Sequence, residues 1–163
     1  MDLNPVLHQI GVGSLWSDAV YHIDPATGAL LHTDDYSAWG HVLQVLFDDG
    51  EEGGGARGLG IVRGTVARLP ETAKLPHIGW SPVRAAGEPH PVFAPLDGQY
   101  VYFAHSYAAP AEARGTQLVA VHGRPYCAAL AIDNLFAVQF HPEKSQRVGL
   151  AMLDRFVRLA PRA

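Results

Sequence analysis

Three features of this 163-residue chain predict an α/β fold. Short runs of β-branched and aromatic residues follow one another between positions 59 and 132, as strands prefer. The run Leu135 to Phe140 (LFAVQF) is almost fully apolar, the pattern of a strand covered on both faces. From Ser145 to Leu159 the period changes: Val148, Met152, Phe156 and Leu159 recur at spacings of four, four and three, one stripe of a helix. Ser145 stands where an N-cap belongs.

Taken in order, residues 1–39 mix His, Trp, Tyr and turn residues without a sustained period and predict no clear element. His41 to Phe47 (HVLQVLF) reads as a short apolar helix or buried segment, closed by Asp48-Asp49-Gly50. Glu51 to Gly58 is a polar, glycine-rich loop. Strands are expected at Leu59–Val62 and Thr65–Leu69, with Arg63-Gly64 as the turn between them. Tyr100–Ala104, Gln117–His122 and Tyr126–Ile132 follow, the last two separated by Gly123-Arg124-Pro125 as in a hairpin.

Composition narrows the function. A net charge of -4 speaks against nucleic-acid binding, which normally needs a basic excess. No apolar run approaches the ~18 residues of a membrane span, and Met1-Asp2-Leu3-Asn4-Pro5 lacks the basic and apolar regions of a signal peptide. A cytoplasmic domain is the expectation. One cysteine, Cys127, excludes a disulfide framework. The nine histidines form no His-Glu-x-x-His pattern, so neither a metal nor another cofactor is expected.

The chemistry concentrates where the last strand meets the last helix, Gln139-Phe140-His141-Pro142-Glu143-Lys144-Ser145-Gln146. Residues two apart on an extended segment point the same way, so His141 and Glu143 should project together from a strand end. Ligand sites gather at that edge of open α/β sheets. An imidazole beside a carboxylate is the base and orienter of a nucleophilic triad. Without further context, a strand-end histidine and a solvated glutamate explain the same text.

The context supplies a resemblance. Phe136 to Glu143 (FAVQFHPE) resembles the C-terminal signature of class I glutamine amidotransferases. Lys144-Ser145-Gln146 narrows it to the glutaminase subunits of imidazole glycerol phosphate synthases. Pro76-His77-Ile78-Gly79-Trp80 and Tyr102-Phe103-Ala104-His105-Ser106-Tyr107 are similar to two further segments of that group, in the same order. Gln44 to Phe47, with Glu51-Glu52 and Gly58 to Gly60, resembles the stretch after its nucleophile.

This resemblance, over residues 42–159, implies a flavodoxin-like three-layer fold with an antiparallel excursion across 59–132. It implies that a cysteine thiolate attacks the glutamine side-chain amide and that a backbone oxyanion hole steadies the intermediate. Ammonia would then pass to a (βα)8-barrel cyclase subunit in histidine biosynthesis. His141 would be the base and Glu143 its orienter; Gln44, His105, Ser106 and Tyr107 would surround glutamine; Trp80 and Lys144 would face the barrel. On residue type alone, Trp80 is equally a core aromatic and Lys144 a solvated charge.

The family's nucleophile elbow has no counterpart. Four residues before Gln44 stands Gly40, in Ala38-Trp39-Gly40-His41, and glycine has no side chain to attack with. Cys127 lies in a predicted strand interior, the setting of a buried structural thiol. The expected organisation is therefore an unmatched segment 1–39 and an amidotransferase domain 40–163, an N-terminally incomplete version of the fold. Two accounts fit. If Tyr36 to Gly40 is encoded TAC-TCT-GCC-TGG-GGN, reading one base earlier gives Leu-Cys-Leu-Gly, the elbow itself, so 1–39 would be out of frame and poorly packed. Otherwise the chain is a non-catalytic scaffold that binds a barrel partner. A sister amidotransferase acting on another acceptor is the remaining alternative.

Overall fold

The computed structural model describes residues 9–10, 19–23, 30–35 and 42–159. Gly40 and His41, and the expectations that fall on them, lie outside the described residues. Within the segment that predicted no element, β1 (Gln9–Ile10), β2 (Ala19–Ile23) and β3 (Leu30–Asp35) form an antiparallel meander.

From α1 (Val42–Val45) onward the order follows the predicted alternation more closely. The chain passes from α1 into β4 (Phe47–Gly50), which pairs with β5 (Ala56–Arg57) and, in parallel, with β6 (Val62–Arg68). Arg63-Gly64 is not the turn its composition predicts. β6 runs through it, Arg63 and Gly64 of β6 standing opposite the single residue Asp48 of β4 between the pairs Phe47–Val62 and Asp49–Thr65. Gly64 sits in this bulge at φ 133°, and its N–H donates to Asp48 Oδ2 at 3.0 Å. A side chain there would need a backbone conformation that L residues rarely adopt.

β7 (His77–Pro82) and β9 (Tyr100–His105) make a two-stranded antiparallel ribbon. A second four-stranded sheet joins β8 (Arg84–Ala85), β11 (Thr116–His122), β12 (Arg124–Ile132) and β13 (Leu135–Val138), with β13 at its edge. The predicted break between β11 and β12 shortens to Gly123 (φ 74°), and the short β10 (Tyr107–Ala108) docks on β6. Among the described residues β4–β6 is the parallel pair, and the other pairings are antiparallel. This mixed α/β arrangement of sheets with few helices is consistent with the flavodoxin-like fold that the resemblance implies.

The apolar run 135–140 is less enclosed than its composition predicts. Leu135, Phe136 and Val138 are half-buried, whereas Ala137, Gln139 and Phe140 are buried. The reason is topological: an antiparallel strand at the edge of a sheet needs no cover on both faces. Two apolar clusters fill the interior. One gathers Phe93, Leu96, Phe103, Leu118, Tyr126 and Phe140 beneath the last helix, α2 (Gln146–Leu159). The other packs Leu43 of α1, and Leu46 just after it, against Phe47, Val62, Cys127 and Leu130. The predicted helical stripe points inward through Val148, Met152 and Phe156, while Leu159 is exposed. Among the described residues no helix is long and apolar enough to cross a membrane.

The inner face of the β7–β9 ribbon carries polar residues into this core. His77 lies opposite His105 in register, and Tyr126 of β12 reaches both. Its hydroxyl is 3.2 Å from His77 Nδ1 and 3.4 Å from His105 Nε2. His77 Nε2 meets Ser81 Oγ at 2.9 Å, and His105 Nδ1 donates to the Tyr107 carbonyl at 2.8 Å. Burial, and then the His122 ring stacked 4.0 Å from that of His77, push the His77 pKa down to about 4.

Two outcomes test this packing. An unfolded chain takes up a proton on His77 near pH 6.5, the folded chain only near pH 4. Between those values the unfolded state binds more protons, so stability should fall as pH drops from 6.5 toward 4. The urea midpoint should show that slope, and His77→Asn, with nothing to titrate there, should flatten it. At Gly149 of α2, a Cβ would lie 2.0 Å from the Pro142 carbonyl oxygen. Gly149→Ala should therefore cost about 2 kcal/mol in urea unfolding, although alanine is the better helix former by up to about 1 kcal/mol. A rise in stability would contradict the packing of α2 on this turn.

Candidate active site

His141 follows β13 by three residues. Its backbone is extended (φ -94°, ψ 100°), and Pro142, with its φ preset, opens a 3-10 turn over Pro142–Lys144. His141 Nδ1 is 2.9 Å from Glu143 Oε1. The two side chains do meet, but through the tight turn, which folds Glu143 back, and not through the extended alternation that the two-residue spacing predicts. The imidazole is buried and the Glu143 side chain is 43% exposed. An Nδ1–H donated to a carboxylate fixes the tautomer and makes Nε2 the basic nitrogen, which is what a general base requires.

The turn is fastened to the middle of β9. The His141 N–H donates to the Tyr102 carbonyl at 2.8 Å, and the Tyr102 N–H donates to Ser145 Oγ at 3.0 Å. Ser145 in turn donates its hydroxyl proton to the His141 carbonyl at 2.6 Å. Its side chain thus faces β9 and does not cap α2 as the sequence predicts.

A second group of predicted residues meets near α1. Gln44, buried, donates from Nε2 to the Tyr107 carbonyl at 2.9 Å and toward Gln139 Oε1 at 3.4 Å. The Tyr107 carbonyl also receives the His105 Nδ1 proton, so one oxygen ties α1 to the end of β9. The Ser106 carbonyl accepts the Leu69 N–H at 2.8 Å. Among the described residues, neither Gln44 Oε1 nor Gln139 Nε2, both buried, has a hydrogen-bond partner.

Trp80 and Lys144 both approach the ring of Tyr102. Trp80 meets it edge-on at 6.0 Å, and Lys144 Nζ lies 5.8 Å from its centre. Alternation along the ribbon explains the placement: Ile78, Trp80, Tyr100 and Tyr102 share the outer face. Ile78 is 62% exposed, Tyr100 58% and Trp80 44%, so Trp80 is not a core aromatic.

Cys127 is buried on β12 among apolar neighbours, its Sγ–H donating to the Ala129 carbonyl, and burial pushes its pKa up to about 11. Such a thiol is protonated at neutral pH and is no nucleophile. Sequence reasoning missed the parts played by Tyr102, Gln139 and Ser145. For Tyr102 a signal existed, since period-two alternation sets it on the same face as Tyr100 and across from Trp80.

A family model described as glutamine amidotransferase class-I matches residues 51–159. The chain is 41% identical over 129 residues to a protein of Methylococcus capsulatus named imidazole glycerol phosphate synthase subunit HisH, covering 73% of this chain and 59% of that one. A protein of the same name from Syntrophotalea carbinolica is 46% identical over 123 residues, 70% of this chain and 59% of the relative. One from Thermus thermophilus is 43% identical over 111 residues, 68% and 54%. The chain thus spans less than two thirds of the length of these curated relatives. The match takes in β9, the His141–Glu143 turn and α2 together, and the chain belongs to the class I glutamine amidotransferases.

Proposed function

We propose that this chain is a glutaminase subunit of imidazole glycerol phosphate synthase that holds the base and orienter of the triad but lacks its nucleophile. The observation that carries this reading is the 2.9 Å contact between His141 Nδ1 and Glu143 Oε1 in a chain similar to proteins named as that subunit. In the complete reaction a thiolate adds to the side-chain carbonyl of glutamine. His141, protonated through Nε2, delivers its proton to the departing ammonia, and the glutamyl thioester remains. His141 then takes a proton from water, whose oxygen attacks the thioester and releases glutamate. Glu143 steadies the imidazolium in both halves.

Gln44 and the segment His105-Ser106-Tyr107 would contact glutamine, with Gln44 Oε1 offering a buried acceptor that has no partner among the described residues. The outer face of the β7–β9 ribbon, with Trp80 and Lys144 against Tyr102, would dock the (βα)8-barrel cyclase in a heterodimer. No cofactor is required, and a cytoplasmic location goes with this role in histidine biosynthesis. Gly40, at the nucleophile position, favours a second reading: a scaffold that keeps the docking face and performs no hydrolysis.

Glutaminase assays on the unmodified chain, with and without a cyclase subunit, should give no turnover. Loss of the nucleophile leaves at most the residual ~10³–10⁴-fold advantage over water. Robust turnover would overturn the assignment of Gly40. Sequencing the DNA across codons 36–44 separates a shifted frame from a true glycine. A cyclase subunit should co-purify with the chain, and Trp80→Ala should weaken that complex on the order of thirty-fold, as loss of a buried aromatic anchor does. Retention of a different synthase in place of the cyclase would reassign the acceptor.

A further inference from the structure

We propose that Ser145 is a positioning residue for His141: its hydroxyl stands in for a strand carbonyl and locks the turn 141–145 onto β9. This rests on the reading of His141 as the base. Ser145 is fully buried. A serine that caps a helix accepts an N–H from the first turn of that helix. Ser145 instead spends both its acceptor and its donor on the site, accepting the Tyr102 N–H and donating to the His141 carbonyl.

With the His141 N–H on the Tyr102 carbonyl, both backbone groups of Tyr102 that face the turn are engaged, as in a rung of a β-ladder. The turn has no strand geometry over Pro142–Lys144, so no backbone carbonyl replaces the hydroxyl. Glu143 sets the rotation of the imidazole through Nδ1. Ser145 sets where its Cα stands, and a general base must be held to a fraction of an ångström to be useful.

The backbone immediately after Ser145 bears the mark of this arrangement. Gln146, a non-glycine residue, has φ 52°, in the left-handed region where side chains are disfavoured. Strain of this kind persists where the surroundings over-determine it and gathers at functional positions. Here the chain turns sharply at residue 146, which lets Ser145 face β9 while Gly149 of α2 abuts the Pro142 carbonyl.

The test reads the imidazole directly and needs neither turnover nor a partner. In a proton–nitrogen correlation spectrum of the unmodified protein, His141 should give an Nδ1–H signal protected from water. In Ser145→Ala that proton should exchange at least ten-fold faster while the amide spectrum stays folded. Gln146→Gly, which removes the left-handed strain and keeps the hydroxyl, should retain the signal. If Ser145→Ala alone does not fold, the combined Ser145→Ala/Gln146→Gly chain decides, and there too the protection should be lost. Ser145→Thr, which keeps the hydroxyl, should recover it. An unchanged His141 Nδ1–H exchange rate in either folded alanine variant overturns the proposal. Calorimetric titration with glutamine separates the two readings: a folded chain that does not bind glutamine counts against the proposed function, while the imidazole exchange rate still decides the role of Ser145.

Discussion

The backbone of Tyr102 is the fixed point around which the rest of the candidate site is arranged. Its carbonyl takes the His141 N–H and its N–H reaches Ser145 Oγ, so a loop without ladder geometry is registered on a regular strand. Each such bond adds only about 1 kcal/mol net, but leaving a buried N–H unpaired costs about 1–3 kcal/mol. That asymmetry makes the register definite. The imidazole then needs only Glu143 to choose its tautomer, and the 3-10 turn opened by Pro142 brings the carboxylate there.

The same strand separates two kinds of surface. Because side chains alternate, β9 turns Val101, Phe103 and His105 inward and Tyr100 and Tyr102 outward. Inward, His105 joins His77 and Tyr126 in a buried polar group that reaches the Tyr107 carbonyl, and with it Gln44. Outward, Tyr102 receives Trp80 and Lys144. An exposed aromatic face and a buried polar face therefore lie back to back across one layer of backbone. Glycine is required where backbone runs against backbone, at Gly149 on the Pro142 carbonyl and at Gly58, where a Cβ would lie 2.1 Å from the Phe47 carbonyl oxygen.

Chemical competence is distributed unevenly. His141 and Glu143 form a hydrogen-bonded imidazole–carboxylate pair, whereas the thiol that the chain possesses, Cys127, is desolvated among apolar neighbours and held protonated. Proton transfer and nucleophilic attack are separable demands. The first needs a histidine with a carboxylate beside it; the second needs a thiolate in an electropositive setting. Residues 42–159 satisfy the first demand.

What the sequence determined by itself was whatever depends on local pattern and on residue type. The helical stripe of Val148, Met152 and Phe156 and the aromatic strand from Tyr100 were legible, because periodicity confines side chains without help from distant parts of the chain. The meeting of His141 with Glu143 was legible from residue type and nearness in sequence, although a 3-10 turn and not extended alternation produces it. Tertiary structure decided the rest. Arg63-Gly64 looks like a turn and is a bulge, because β6 pairs with β4 on both sides of it and Asp48 Oδ2 accepts the Gly64 N–H. LFAVQF looks like a strand covered on both faces and supplies an edge strand, because among the described residues its β13 part pairs on one side, with β12. Ser145 looks like a helix cap and is a clamp, because its hydroxyl found a strand 43 residues away. In each case a partner remote in sequence offered a hydrogen bond or a contact surface that local preference, worth about 1 kcal/mol per residue at most for such positions, could not outweigh.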